Sequence, residues 1–548
     1  MHMWQRLGFV IWIALGCAAC SKDRQPDAPQ SLRVDGVMVN NKADGFSYSD
    51  VGRLLVIEVK FSASIERASV SSGISLSAPD GAELEIGVAY SNADKTITIT
   101  PHAPLESFSK YMLQLSNTLR STGGQVLNAP LTVSLATRID SADKFDRITD
   151  EELLTLVQRQ TFTYFWDFAH PASGMARERN TSGDVVTTGG TGFGIMAIVV
   201  GIERGFISRQ EGHDRIRNMV DFLQTADQYH GAFPHWLNGN TGATQPFSDK
   251  DDGADLLETS LLMQGLLTAR AYFDAANEQS LCDDITALYE AVDWDFFRNG
   301  QQQLNWHWSP NFAWEMDLPI SGWNEGLITY VLAASSPTHP ISKAVYDEGW
   351  ARNGAMRNGG GYHGIALPLG PDGGGPLFFA HYSFLGINPF GLVDTYTNYE
   401  TQVKAHTSIN RAHCVANPGG FYGYSADCWG LTASDDVNGY MAHSPTNDNG
   451  VITPTAALSS FPYTPEESLK ALHFFYYKLG DRLWGEYGFK DAFSMEEAWF
   501  ADSYLAIDQG PIIVMIENYR TGLLWDLFMS APEVKAGLYK LGFSSPKL

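Results

Sequence analysis

The segment Asp251-Asp252-Gly253-Ala254-Asp255-Leu256-Leu257-Glu258, with the apolar run behind it, constrains the fold of this chain most. Leu256, Leu257, Leu261, Leu262, Met263, Leu266 and Leu267 wrap most of a helix circumference, which requires neighbours on every side. The helix is therefore an inner element of a helical domain. Asp251 and Asp255 are four residues apart and Asp255 and Glu258 three, so helical geometry puts the carboxylates on one face. Acids crowded into such a place repel one another, and at least one is expected to have a raised pKa. That is the raw material of acid–base catalysis. The simpler alternative is that the acids only answer the positive end of the helix dipole.

A length of 548 residues predicts two or more domains, and 44% hydrophobic residues are ample for their cores. The formal charge of -25 argues against nucleic acid, an anionic membrane surface or an acidic polymer as partner. Aromatic residues make up 12% of the chain, with 14 Trp and 23 Tyr, a supply that suits stacking against flat sugar faces. Residues 1–20 read as a secretory signal: Arg6, an apolar run from Leu7 to Leu15, then Cys17-Ala18-Ala19-Cys20. Cys20 resembles the lipidated cysteine of bacterial lipoproteins, with Cys17 the weaker candidate. The Lys22-Asp23 start resembles a surface-export signal of Bacteroidota lipoproteins. The expected location is the bacterial outer membrane, on its periplasmic side or at the cell surface, with a lipid as the anchor. Cys282, Cys414 and Cys428 remain, and the sequence leaves a Cys414–Cys428 bridge open.

After a tether at 21–30 with Pro26 and Pro29, residues 31–140 read as short strands. Leu54 to Phe61 is β-rich, and Lys95 to Pro101 alternates Thr with Ile. This part resembles bacterial Ig-like domains, a small all-β sandwich, and is read as a spacer. From residue 148 to 548 the pattern is helical, with candidate helices at 148–168, 190–204, 209–228, 252–276, 280–297, 322–334, 341–353, 392–416, 453–459, 464–483, 510–526 and 532–541. Apolar inner helices alternate with more amphipathic ones, which suggests an all-α toroid with the site where its loops converge. A repeat array would show a short sequence period, and none recurs.

A second acidic position is Glu325, in Gly322-Trp323-Asn324-Glu325-Gly326 at the expected start of an apolar helix. Packing by Trp323 would raise the Glu325 pKa and keep it protonated, as a general acid must be. The alternative is again a helix-start acid. These two segments, with Ala380-His381-Tyr382-Ser383-Phe384, Asn410-Arg411-Ala412-His413-Cys414 and Trp429-Gly430-Leu431-Thr432-Ala433-Ser434-Asp435, resemble the glycoamylase-like family. Within it the resemblance is closest to glycoside hydrolase family 144, the bacterial β-1,2-glucanases, over about residues 148 to 543. The resemblance implies an (α/α)6 barrel, hydrolysis with inversion and no cofactor. It carries the acid role to Glu325 and the opposing acidic roles to Asp251, Asp255 and Glu258. Asp508, in Ile507-Asp508-Gln509-Gly510-Pro511, looks like a further acid of the cleft.

Glycoside cleavage needs one carboxylic acid and one carboxylate on opposite faces of the sugar. For the second role Asp255 and Glu258 are favoured, with Asp251 and Asp508 still open. Sugar contacts are expected from Trp306, Trp308, Trp314, Trp323, Tyr362, His363, His381, Tyr382, Arg411, Tyr422, Tyr424 and Trp429, and the expected partner is a neutral glucan bound by a monomer. No metal is expected, because His381, His406 and His413 lack ligand spacing. Gly359-Gly360-Gly361 is followed by Tyr362-His363 and not by the Lys-Ser/Thr pair of a phosphate loop. A hydrolase of another β-glucan or oligosaccharide, a polysaccharide lyase and a non-catalytic glycan-binding lipoprotein are the competing readings.

Overall fold

A computed structural model describes residues 31–548, which divide into two compact units, one of residues 31–105 and Tyr111–Leu135 and one of Glu106–Lys110 and Ala136–Leu548. The small unit is built from two four-stranded sheets. One runs Val34–Val39, Ile57–Phe61, Thr96–Pro101, Ile86–Ser91, and the other Ser47–Val51, Leu131–Thr137, Lys110–Leu115, Ile74–Ser77. Period-two alternation drives the burial: Ile97 and Ile99 from one sheet and Leu113 and Leu115 from the other are inaccessible. Leu54 does not join the predicted strand. It lies 78% exposed in the turn before Ile57.

The large unit is helical, with small two- and three-stranded pieces in its loops. Thr188–Glu203, Leu256–Tyr272 and Ala506–Arg520 are buried on all sides over most of their length, as their all-round apolar sequences require. Thr188–Glu203 packs against both others, and Leu256–Tyr272 also packs against Leu327–Ser335. Arg209–Leu223 instead buries one stripe, Ile216, Met219, Val220 and Leu223. It begins with a capping box in which Ser208 accepts from the Glu211 N–H and Glu211 answers the Ser208 N–H; Thr149 and Glu152 do the same for Asp150–Trp166.

Several predicted boundaries move. The 510–526 helix is two helices, Ala506–Arg520 and Leu523–Ser530, separated at Gly522 where φ is 76°. Helix Leu327–Ser335 starts after Glu325, which lies in a turn closed by Asn324 Oδ1 accepting from the Gly326 N–H at 2.8 Å. Cys282, Cys414 and Cys428 are free and buried, so the bridge left open by the sequence is not formed. Among the described residues no helix is long and apolar enough to cross a membrane. Cys20 and the tether lie outside the described residues.

Two inner helices meet at glycines. A Cβ on Gly192 would sit 2.1 Å from the Leu261 carbonyl oxygen, and one on Gly265 2.2 Å from the Gly192 oxygen. Both obstacles are backbone and cannot rotate away. Gly192→Ala is expected to cost about 1–3 kcal/mol in urea unfolding through overpacking. Gly361→Ala, whose added carbon meets nothing within 4 Å, should change the midpoint little. Equal midpoints for the two variants would show that the helices can move apart freely.

Candidate active site

The N-terminal ends of the inner helices converge on a cavity of about 380 Å³. Thr187 immediately before Thr188–Glu203, Leu257 and Glu258 in the first turn of Leu256–Tyr272, Glu325 just before Leu327–Ser335, and Leu505 and Ile507 at the start of Ala506–Arg520 all line it. Helix starts present unpaired N–H groups and positive dipole ends, so carboxylates collect there for a physical reason.

Glu258 uses one oxygen, Oε2, to accept from the Gly189 N–H at 2.7 Å. The approach is close enough that a Cβ on Gly189 would lie 2.6 Å from that oxygen, so the position requires glycine. Its Oε1 lies 4.0 Å from His235 Nε2. Burial raises the Glu258 pKa, with the His235 imidazolium opposing and the Asp255 and Asp251 carboxylates adding to it. Glu325 is pushed up to about 7, first by burial and then by Glu258 and Asp255, against its own backbone N–H. It thus keeps its proton up to about neutral pH, within the field of the Glu258 carboxyl.

Asp255 is wholly buried and fully engaged. Its Oδ1 caps the helix by accepting from the Glu258 N–H at 2.9 Å. Its Oδ2 accepts from His235 Nδ1 at 2.9 Å and from the Trp306 indole at 3.3 Å, with His307 Nε2 at 3.6 Å. Burial opposes its charge, but the His235 and His307 bonds outweigh burial and hold it below the usual carboxylate range. Against burial, Glu258 and Asp255 push His235 up to about 9. Asp251, 3.1 Å from His307 Nε2, and Asp255 push His307 up to about 10. His235, Asp251 and Asp255 are also the one group among the described residues whose ligating atoms come within 4.8 Å of each other. Asp255 Oδ2 already holds an imidazole and an indole N–H as part of an ion-pair network, while the buried Asp251 Oδ1 has no hydrogen-bond partner.

Of the predicted acids, then, Glu258 and Glu325 face the cavity, while Asp251 and Asp255 stand behind Glu258. Asp508 does not line the cavity. It forms a buried pair with Asp491, and burial followed by the Asp491 charge raises its pKa well above the usual range. Of the predicted sugar contacts, Trp306 and Tyr382 are in the wall.

Three others belong to the core. Trp429 is inaccessible and donates its indole N–H to the Glu467 carbonyl at 3.4 Å, His381 is bonded to Ser460 Oγ at 3.0 Å, and Trp323 donates to His406 Nδ1 at 3.3 Å while stacking on Phe384. Trp308 and Trp314 pack around Phe296. Tyr362 and His363 sit in a hairpin of Gly361–Tyr362 with Ile365–Ala366, where the Tyr362 hydroxyl is held by Asp372; Arg411 donates to the Ala426 carbonyl, the Tyr422 hydroxyl accepts from the Ile139 N–H at 3.3 Å, and Tyr424 donates to Asp448. None of these lines the cavity.

Sequence reasoning missed His235 and Trp236, Phe247, Phe378, Arg179 and Tyr440, all in the wall. Pro234-His235-Trp236 carries the same signal as Trp306-His307-Trp308, aromatic and imidazole residues in a loop between helices. Arg179 is neutralised locally, by Glu178 at 2.9 Å and Asp435 at 3.0 Å.

Comparison with known proteins agrees with this geometry. Residues 317–532 match the family model described as "Putative glucoamylase", and residues 29–137 match the bacterial Ig-like domain. An exo β-1,2-glucooligosaccharide sophorohydrolase (non-reducing end) of Parabacteroides distasonis is 47% identical over 420 residues, 72% of this chain. The match spans 58% of that relative's own length. An endo-β-1,2-glucanase structure from Chitinophaga pinensis, in complex with sophorotriose and glucose, is 52% identical with a TM-score of 0.72, covering 73% of this chain and 100% of its own. A β-1,2-glucanase structure from Parabacteroides distasonis is 39% identical with a TM-score of 0.71, covering 94% of this chain and 73% of its own. The chain belongs to the glycoamylase-like family, among whose bacterial members these β-1,2-glucan-degrading enzymes stand, and it carries a bacterial Ig-like domain ahead of the helical one.

Proposed function

We propose that the chain is a glycoside hydrolase that cleaves β-1,2-glucan or its oligosaccharides with inversion. The observation that carries this reading is the pairing of two buried carboxyls, Glu325 and Glu258, in one aromatic-walled cavity. Glu325 gives its proton to the leaving oxygen. Glu258 takes a proton from the attacking water, with the His235 imidazolium stabilising its charged form. Asp255 and His307 hold His235 and the first turn of the helix in place. Acid, base and water complete the reaction, so it needs no cofactor. In the same reading the helices close as an (α/α)6 toroid, supported by the shared direction in which the inner helices present their N-termini. The named activities of the relatives, one exo and one endo, favour the β-1,2 linkage and leave the mode of cleavage to the shape of this cleft.

A lyase would need a free base and cations for a uronate. Burial pushes the Tyr382 phenol far above its ordinary pKa, and both cations of the wall, Arg179 and His235, are already paired. On a panel of linkage-defined glucans the enzyme is expected to release reducing ends from β-1,2-glucan. Activity confined to another linkage, or an ultraviolet-absorbing unsaturated product, would contradict the reading.

The proposal also places the enzyme as a monomer on the outer membrane through a lipid on Cys20. The parent should then fractionate with membranes and Cys20→Ala should not. Identical partitioning of the two would remove the anchor.

A further inference from the structure

A second cavity, of about 580 Å³, lies against the first, and the two share Tyr440 and Arg179 as wall residues. The far cavity carries Trp499 and Phe500, from the hairpin Phe493–Ser494 with Trp499–Phe500, and no carboxyl of the catalytic pair. Trp499 is half-buried and offers an indole face of the kind on which sugars stack. Tyr440 stands in the hairpin Ala433–Asp436 with Gly439–Ala442, directly across the ladder from Asp435.

That ladder is fixed at its root. Asp435 accepts from Arg179 Nη1 at 3.0 and 3.2 Å and from the Ser503 hydroxyl, and its N–H donates to Asp491 Oδ2 at 2.7 Å. Arg179 is tethered in turn by Glu178. The strand paired with Tyr440 is therefore pinned, and the Tyr440 side chain, half exposed, is a wall residue of both cavities. The near cavity, at 380 Å³, is at the low end of the range of roughly 300–1,000 Å³ typical of small-ligand sites. It accommodates a few glucosyl units of a bound chain.

We propose that the Tyr440 ring is the partition that sets the length of the released product, with the Trp499 cavity behind it as a walled-off continuation of the same glucan path. This rests on reading the near cavity as the site of glucan cleavage. The chain segment between the cleaved bond and the partition is the released unit, so moving the partition changes that unit without changing the chemistry.

The test is the product distribution from β-1,2-glucooligosaccharides of defined length, resolved by chromatography at early conversion and expressed as a ratio that does not depend on overall rate. The parent should give one dominant short product. Tyr440→Ala should shift the dominant product upward by at least one glucosyl unit. Tyr440→Phe, which keeps the ring, should retain the parent ratio, and adding Trp499→Ala to Tyr440→Ala should reverse the shift. The partition is overturned if Tyr440→Ala cleaves with the parent's ratio, or if the parent gives mixed lengths from the earliest time point. It is also overturned if Tyr440→Ala keeps its circular dichroism yet cleaves nothing, since Tyr440 would then be part of the chemistry. A parent inert toward every β-1,2-linked substrate overturns the glucan reading itself and the partition with it, an outcome distinct from the others.

Discussion

Glu325→Gln is expected to lower turnover on β-1,2-glucan by roughly 10² to 10⁴, the contribution of a positioned general acid. The amide keeps the shape of the side chain and its place in the cavity wall, so binding of the glucan should survive. Burial, then Glu258 and Asp255, lift the Glu325 pKa to about 7, which keeps the proton on the residue that must donate it. The sign follows directly: the competent form is the protonated one, so the parent's kcat should fall as pH rises through about 7, and this alkaline limb should vanish in the variant. A substrate with a good leaving group departs with little protonation, and on it the deficit of Glu325→Gln should shrink. Glu258→Gln should stay impaired on both substrates, because water needs activation whatever leaves. If Glu325→Gln retains near-parental turnover while Asp508→Asn is inactive, the acid has been misassigned and the buried pair of Asp508 and Asp491 must be reread as the working one.

Asp255→Asn should produce the largest loss of stability, on the order of 3–5 kcal/mol, the cost of removing one partner from a buried ion pair. Asn retains an oxygen for the Glu258 N–H, so the cap survives and the loss reports the charge. Two imidazoliums, His235 and His307, would be left facing each other's field with less compensation. The folded pKa of Asp255 is depressed, so its stabilisation is present above the unfolded value near ~3.9 and is lost as pH falls. Those of His235 and His307 are raised to about 9 and about 10, so theirs is full below the unfolded value near ~6.5 and is lost as pH rises through the folded values. Urea midpoints of the parent should therefore decline between about pH 6.5 and 10. In Asp255→Asn the decline should flatten, because both imidazoles lose a partner. A variant with an undiminished alkaline slope would show that Asp255 does not hold the two histidines.

Much of this was legible in the residues. The all-round apolar helix at 256–267 required an inner position, and the structure gives it one. The alternation at 95–101 gave strand Thr96–Pro101. The acids at 251–258 were marked as a cluster, but their division of labour was not. One-dimensional spacing places Asp255 and Glu258 on one face; only the fold shows that Asp255 is consumed by the cap, His235 and Trp306, while Glu258 keeps a face to the cavity. Trp323, His381 and Trp429 show the converse difficulty. An aromatic or imidazole side chain among glycines looks the same in sequence whether its polar atom meets a sugar or a buried neighbour such as His406, Ser460 or the Glu467 carbonyl. Arg179 and Tyr440 were silent for a different reason, since each reaches the wall from a short loop hairpin or turn whose course the sequence does not show.

With Glu325 as acid and Glu258 as base on opposite sides of a β-1,2-glucosidic bond, the stereochemistry of the product is fixed. Proton NMR of the anomeric signals during the first moments of β-1,2-glucan hydrolysis reads it. New reducing ends are expected to appear first as the α-anomer and then mutarotate, the signature of water delivered opposite the leaving group. First appearance of the β-anomer would mean retention through a covalent intermediate, and would contradict the roles assigned to both carboxyls.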